Sequence, residues 1–186
     1  MLNFSKFLLR IAGWKTITTV AEPPQSVICV APHTSNWDYV LGQLYYWSQN
    51  RKASFLIKKS WFKFPFGALF RKLGGIPVDR SRNASTVEQM IAEFKNRPVF
   101  HLAITPEGTR KQVKKWKMGF YHIAVAAKVP IQLAFFDYKK KEIGITKILI
   151  PSGNEQADMQ EIYKYFENRT ARFPEKFYVP KTTEKE

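Results

Sequence analysis

Short apolar runs of strand type alternate with segments of helical period along nearly the whole chain, and this alternation limits the architectures open to it. Residues 15–20 alternate in polarity as a half-buried strand does, and residues 26–31 form a compact apolar run. Pro23 and Pro24 separate the two. Residues 37–50 have the period of a helix, with Ser35 placed to cap it and Asp38 placed to complete a capping box. A strand is predicted at 53–57, a very short one at 76–78 after Gly74 and Gly75, and a helix at 86–95 with Ser85 as cap and Glu88 as its box partner. Strands at 99–104, 131–136 and 143–150 and helices at 120–128 and 159–169 complete the series. Such a series predicts an α/β layer structure, a mixed or largely parallel sheet flanked by helices. With 186 residues, no internal repeat and no Gly/Ser/Pro-rich linker, the chain has room for one domain. Its 45% apolar content is that of a core former, which excludes disorder for most of its length.

In open sheets of this class ligands collect outside the carboxyl ends of the strands. Three loops there carry reactive groups, at 32–37, 79–82 and 105–110. The first sets His33 and Asp38 five positions apart, a spacing that on a continuous helix turns by roughly 140° and would part them. They meet if His33 lies in the loop and Asp38 in the first helical turn. The helix N-terminus then disfavours an imidazolium and keeps His33 available as a base, with Asp38 fixing its tautomer. A loop histidine bonded to backbone, with Asp38 as a mere cap, fits the hexapeptide equally well. In the third loop Gly108 permits close backbone approach and Arg110 offers a planar fork for phosphate or carboxylate, although a surface turn uses similar residues. Arg80, taken alone, reads as a solvated or ion-paired arginine. His33, His101 and His122 are not at metal-ligand spacing, and His101 and His122 read as packed polar residues, so no metal is expected. Cys29, alone of its kind and inside an apolar run, reads as a buried inert thiol.

Taken in order, the segments resemble the glycerolipid acyltransferase family typified by bacterial 1-acyl-sn-glycerol-3-phosphate acyltransferases. His33 to Asp38 is similar to the family's HX4D block, Gly75 to Arg80 to its second block ending in arginine, and Pro106 to Arg110 to its PEGTR block. Lys117 to Phe120 and Val129 to Ile131 sit where the family has a lysine-glycine segment and a valine-proline strand start. The resemblance implies a glycerophosphate acyltransferase-like fold over 15–171. It implies His33 as general base and Asp38 as its support, with Arg80 and Arg110 holding an acceptor phosphate. Glu107, Gly108 and Thr109 would complete the substrate-binding pocket. The implied reaction moves a fatty acyl group from acyl-CoA or acyl-acyl carrier protein to a hydroxyl of a lysophospholipid such as 1-acyl-glycerol-3-phosphate, with no cofactor. O-acylation of a lyso-aminolipid or another hydroxyl acceptor is the alternative.

The charge balance adds a partner. Thirty Lys and Arg against fifteen Asp and Glu give a formal +15, which calls for an anionic partner: phosphorylated substrate, anionic lipid or nucleic acid. Residues 51–72 hold seven cations and no acid among aromatics, and 110–117 hold five cations in eight residues. Such a surface suits an anionic bilayer or, as a distant alternative, a non-enzymatic nucleic-acid-binding module. Neither HX4D nor PEGTR serves nucleic acid, so none is expected as partner. The amphipathic residues 1–14 lack a signal-peptide cleavage site, and no run of about 18 apolar residues could span a membrane. The expectation is peripheral attachment at the cytoplasmic face through Phe4, Phe7, Leu8, Lys58, Lys59, Trp61, Phe62 and Lys63. Residues 172–186 read as a loosely held tail.

Overall fold

The computed structural model describes residues 2–79 and 83–181. Helix α1 (Leu2–Ile11) leads into β1 (Lys15–Thr18) and β2 (Gln25–Ala31), then α2 (Asn36–Ser48), β3 (Ser54–Lys58), α3 (Phe66–Lys72) and β4 (Gly75–Val78). After these come α4 (Asn83–Asn96), β5 (Phe100–Ile104), α5 (Gly119–Ala127), β6 (Ile131–Asp137), β7 (Glu142–Leu149) and α6 (Glu155–Phe166). One sheet holds the seven strands in the order β1-β7-β6-β2-β5-β3-β4. Neighbours run parallel except β6 and β7, an antiparallel hairpin, so the single α/β domain has the mixed, mostly parallel sheet that the alternation predicts.

The central strands are buried on both faces, which is why they read as continuous apolar runs. Their period of two divides the core. Val27, Cys29 and Ala31 of β2 and Ile131, Leu133 and Phe135 of β6 face Met90, Phe94, Phe120, Ile123 and Ile162 of α4, α5 and α6. Ile28, Ala134 and Phe136 point the other way, into Leu9 of α1 and Leu41 and Tyr45 of α2. The Gln43 amide of α2 reaches the Leu73 carbonyl beyond α3 at 3.5 Å, so α3 lies on the α2 side, as right-handed crossovers require. Thus β2 leads into a helix on one face, and its neighbour β5 leads into α5 on the other. Adjacent strands whose crossovers leave to opposite faces open a crevice at their carboxyl ends.

Two helix starts differ from expectation. Helix α4 begins at Asn83, which puts Ser85 inside its first turn instead of at its cap. Helix α6 begins at Glu155, capped by the Asn154 side chain accepting from the Ala157 N–H at 3.1 Å; its polar first turn shows no apolar period to mark it. The loosely held tail is corrected for residues 172–181. Phe177 and Val179 pack on the core, Pro174–Lys176 form a 3-10 turn, and the buried Trp116 indole donates to the Tyr178 carbonyl at 3.0 Å. These anchors follow no strand or helix period, so the sequence pattern does not reveal them. Residues 182–186 lie outside the described residues.

Trp116→Ala removes both the packing and the indole donor to that carbonyl. It should lower the unfolding free energy by about 3–5 kcal/mol in urea titrations and make the segment after Thr170 sensitive to limited proteolysis, with Trp116→Phe falling between the two.

Candidate active site

The site is assembled at the crevice between β2 and β5. Ser35 starts α2 in extended conformation (φ −144°, ψ 156°), and its hydroxyl accepts from the Trp37 N–H at 3.2 Å. Asp38, in the first turn, completes the capping box: its Oδ2 accepts from the N–H groups of Ser35 and Thr34, each at 2.8 Å. These bonds fold the loop back over the helix end, and His33 Nδ1 comes to 3.3 Å from the same Oδ2. The histidine is one-fifth exposed and the carboxylate is buried. Both sequence readings hold at once, since Asp38 is a cap and the partner of His33. With Nδ1 held by a buried carboxylate, the imidazole can take up a proton at Nε2 and be stabilised as it charges.

The loop after β5 supplies the other wall. Gly108 has φ +64°, and a Cβ there would meet the Lys117 side chain at 2.9 Å, so the turn needs a glycine. The Lys117 N–H donates to the Pro106 carbonyl at 2.8 Å and closes the loop on itself. Glu107 was expected to shape the substrate pocket, but its carboxyl is buried and Oε1 accepts the His33 backbone N–H at 2.7 Å. It holds the histidine loop. Oε2 is buried without a hydrogen-bond partner, and burial, opposed by its backbone bonds and by His33, pushes the Glu107 pKa up to about 7. Arg110 is exposed, and its guanidinium donates to the Asn36 side-chain oxygen, which sets it at the start of α2. Thr109 is exposed, its hydroxyl accepting from the Lys111 N–H at 3.4 Å. Arg80 lies outside the described residues.

Pattern reasoning overlooked Tyr138. It stands just past β6, next to Lys139, Lys140 and Lys141, and its hydroxyl donates to Asp38 Oδ1 at 2.5 Å. Burial and this carboxylate hold the phenol far above its usual pKa. Tyr138 and Arg172 border a groove of about 430 Å³ with Trp14, Trp37, Val40 and Leu44. The remaining histidines stand elsewhere. His101 is buried, 2.8 Å from the Ser26 hydroxyl, and burial lowers its pKa. His122 is exposed and pairs with Glu155 at 3.0 Å, so it is not the packed residue expected. Among the described residues no group of three or more His, Cys, Asp or Glu side chains is arranged for a metal ion.

The residues expected at a membrane divide by exposure. Phe4, Phe7 and Trp61 are exposed, as are Lys58, Lys59 and Lys63. Leu8 and Phe62 are half-buried, the latter against the Phe70 ring at 6.0 Å and the Arg71 guanidinium at 5.4 Å, and so are only partly available. The exposed set also includes Ile11, Phe64, Phe66 and Leu69. No described helix is long and apolar enough to cross a membrane.

The open α/β sheet thus carries a histidine and a buried carboxylate at its crevice, opposite a Glu-Gly-Thr-Arg turn. The Acyltransferase family profile matches residues 15–133, and the chain belongs to that family. Among solved structures it is similar to the 1-acyl-sn-glycerophosphate (LPA) acyltransferase PlsC from Thermotoga maritima, with a TM-score of 0.60 and 18% identity over 91% of this chain and 79% of that one. That likeness establishes the shared fold. No curated protein matches the chain.

The Glu107 carboxyl makes a pH-dependent contribution. Its pKa in the fold, about 7, lies above the ordinary 4.5, so its favourable contribution is complete below about pH 4.5 and is lost as pH rises through 7. Glu107→Gln keeps an oxygen for the His33 N–H and does not ionise. Chemical denaturation at pH 5 and pH 8 should show the variant gaining on the parent protein by up to a few kcal/mol at the higher pH.

Proposed function

We propose that this acyltransferase moves a fatty acyl group from an acyl thioester, acyl-CoA or acyl-acyl carrier protein, to a hydroxyl of a lysophospholipid such as 1-acyl-glycerol-3-phosphate. The observation that carries this reading is the 3.3 Å approach of His33 Nδ1 to the buried Asp38 carboxylate beside an exposed Arg110. In this mechanism His33 Nε2 takes the proton of the acceptor hydroxyl as its oxygen attacks the thioester carbonyl carbon. The carbon–sulfur bond then breaks, and the imidazolium returns the proton to the departing thiolate. Asp38 stabilises the imidazolium, and Glu107 sets the height of the histidine loop. Arg110, with Arg80, binds the acceptor phosphate in forked hydrogen bonds. The groove along Trp14, Trp37 and Val40 offers an apolar bed for an acyl chain beside Tyr138. No cofactor enters these steps.

The protein meets these substrates at an anionic membrane surface, as a peripheral protein of the cytoplasmic face. Two observations support this. The exposed Phe4, Phe7 and Ile11 of α1 belong to the sheet face that also carries α2 and α3. Lys58, Lys59, Trp61 and Lys63 follow the carboxyl end of β3, the rim from which the His33 loop also leaves. Aromatic side chains at such a rim enter the interface while the lysines meet headgroups.

Two experiments check these assignments. His33→Ala should remain folded and lose at least about a hundredfold in turnover of a lysophosphatidate and acyl-thioester pair, while Arg110→Ala should lose about tenfold, and more with phosphorylated than with uncharged acceptors. Near-parental turnover by a folded His33→Ala would remove the base from the mechanism. Phe4→Ser combined with Phe7→Ser should weaken sedimentation with anionic vesicles at low and high salt alike, whereas Lys58→Glu with Lys63→Glu should weaken it mainly at low salt.

A further inference from the structure

Asp38 is 2% exposed, so water cannot replace a partner that its carboxylate loses. The two oxygens are held differently. Oδ2 takes the Thr34 and Ser35 amides at 2.8 Å and faces His33, whereas Oδ1 is bonded by the Tyr138 hydroxyl at 2.5 Å. Two amides on one oxygen fix its position and leave the carboxylate plane to swing about it. Tyr138, bonding the other oxygen, stops that swing.

Tyr138 is itself held on several sides. Its backbone N–H donates to the Thr170 carbonyl at 2.8 Å, and the Trp14 ring meets its own edge-on, 5.0 Å between centroids at 88°. The Arg172 cation lies close enough to its hydroxyl to oppose the rise in the phenol's pKa. A guanidinium has only donors, so beside the phenol oxygen it leaves the hydroxyl to donate to Asp38. The nearby cation polarises the phenol and strengthens that bond. Arg172 is placed by the segment that carries it, since its guanidinium lies 5.6 Å from the Trp37 ring and the next residue, Phe173, donates its N–H to the Thr34 hydroxyl at 3.3 Å.

We propose that Tyr138, supported by Arg172, is a positioning residue for the His33–Asp38 pair, fixing the carboxylate plane and drawing part of its charge away from the imidazole. The proposal rests on the reading of His33 as the base. A carboxylate stripped of the phenol would concentrate its charge toward the imidazole and favour the imidazolium, the form that cannot accept the acceptor's proton. The charged and titratable groups around this pair are Glu107 and Arg110 from the loop after β5, Tyr138 from the β6–β7 hairpin, and Arg172 from the C-terminal segment. Glu107 titrates near neutrality, so each comparison is made both in the parent chain and in Glu107→Gln.

The test follows the His33 imidazole by NMR across pH in the full chain, beside the pH profile of kcat/KM. In Tyr138→Phe the His33 midpoint should rise by about half a pH unit, and the acidic limb of the profile should move with it. Turnover should fall about tenfold with KM changed less than about twofold. Arg172→Gln should shift the midpoint the same way by less. In an Asp38→Asn background the Tyr138→Phe shift should vanish. An unmoved midpoint in folded Tyr138→Phe, or an equal shift without the Asp38 carboxylate, overturns the proposal. 3-Fluorotyrosine at position 138 keeps the ring's shape and makes a stronger donor, so it should lower the midpoint; it carries the test if Tyr138→Phe does not fold, and an unmoved midpoint overturns the proposal there too. The NMR midpoint is independent of acyl transfer. The expected shifts in a parent protein inactive toward every acyl acceptor would support the coupling while refuting His33 as the acyl-transfer base.

Discussion

The Asp38 carboxylate is the interaction on which the site depends. A buried charge is costly unless fully paired, and this one is paired by four groups: two amides and the His33 imidazole of its own capping loop, and the phenol of the distant Tyr138. The local bonds do the work of a helix cap. The distant one attaches that cap to the hairpin, and with it to Trp14 in the turn after α1 and to Arg172 of the C-terminal segment. An ordinary device for ending a helix thereby becomes the fixed point from which a base is aimed.

That fixed point lies where it does because of strand order. In a sheet arranged β1-β7-β6-β2-β5-β3-β4, chain from β2 and chain from β5 diverge to opposite faces, and their loops are left side by side. The Glu107 bond to the His33 N–H bridges the gap between them. Burial makes that carboxyl reluctant to ionise, and the cost is accepted at the one place where the bond sets the histidine backbone. The same rim receives the end of β3, so the cationic and aromatic residues that follow it stand on the edge from which a lipid would enter under the proposed function.

Much of this was legible in the residues themselves. Alternating periods fixed the layer architecture, because buried strands and amphipathic helices leave different apolar spacings that no long-range contact is needed to read. Ser35 and Asp38 announced their cap three residues apart, and the His33–Asp38 contact follows from that cap geometry. The helix starts were less readable at α4 and α6, whose first turns are polar and carry little period.

What the tertiary structure alone decided are the partners separated by long stretches of chain. Glu107 carries the same motif letters whether it faces a substrate or the His33 amide, and only the adjacency of β2 and β5 selects the amide. Tyr138 sits in a lysine-rich turn that reads as solvated surface, and the C-terminal residues from Arg172 have no repeating apolar spacing, so neither advertises its place against Asp38. Sequence patterns report interactions within one element, where spacing along the chain equals spacing in space. Contacts between residues about a hundred positions apart depend on strand order and on how each strand's end is aimed, and those are properties of the packed whole.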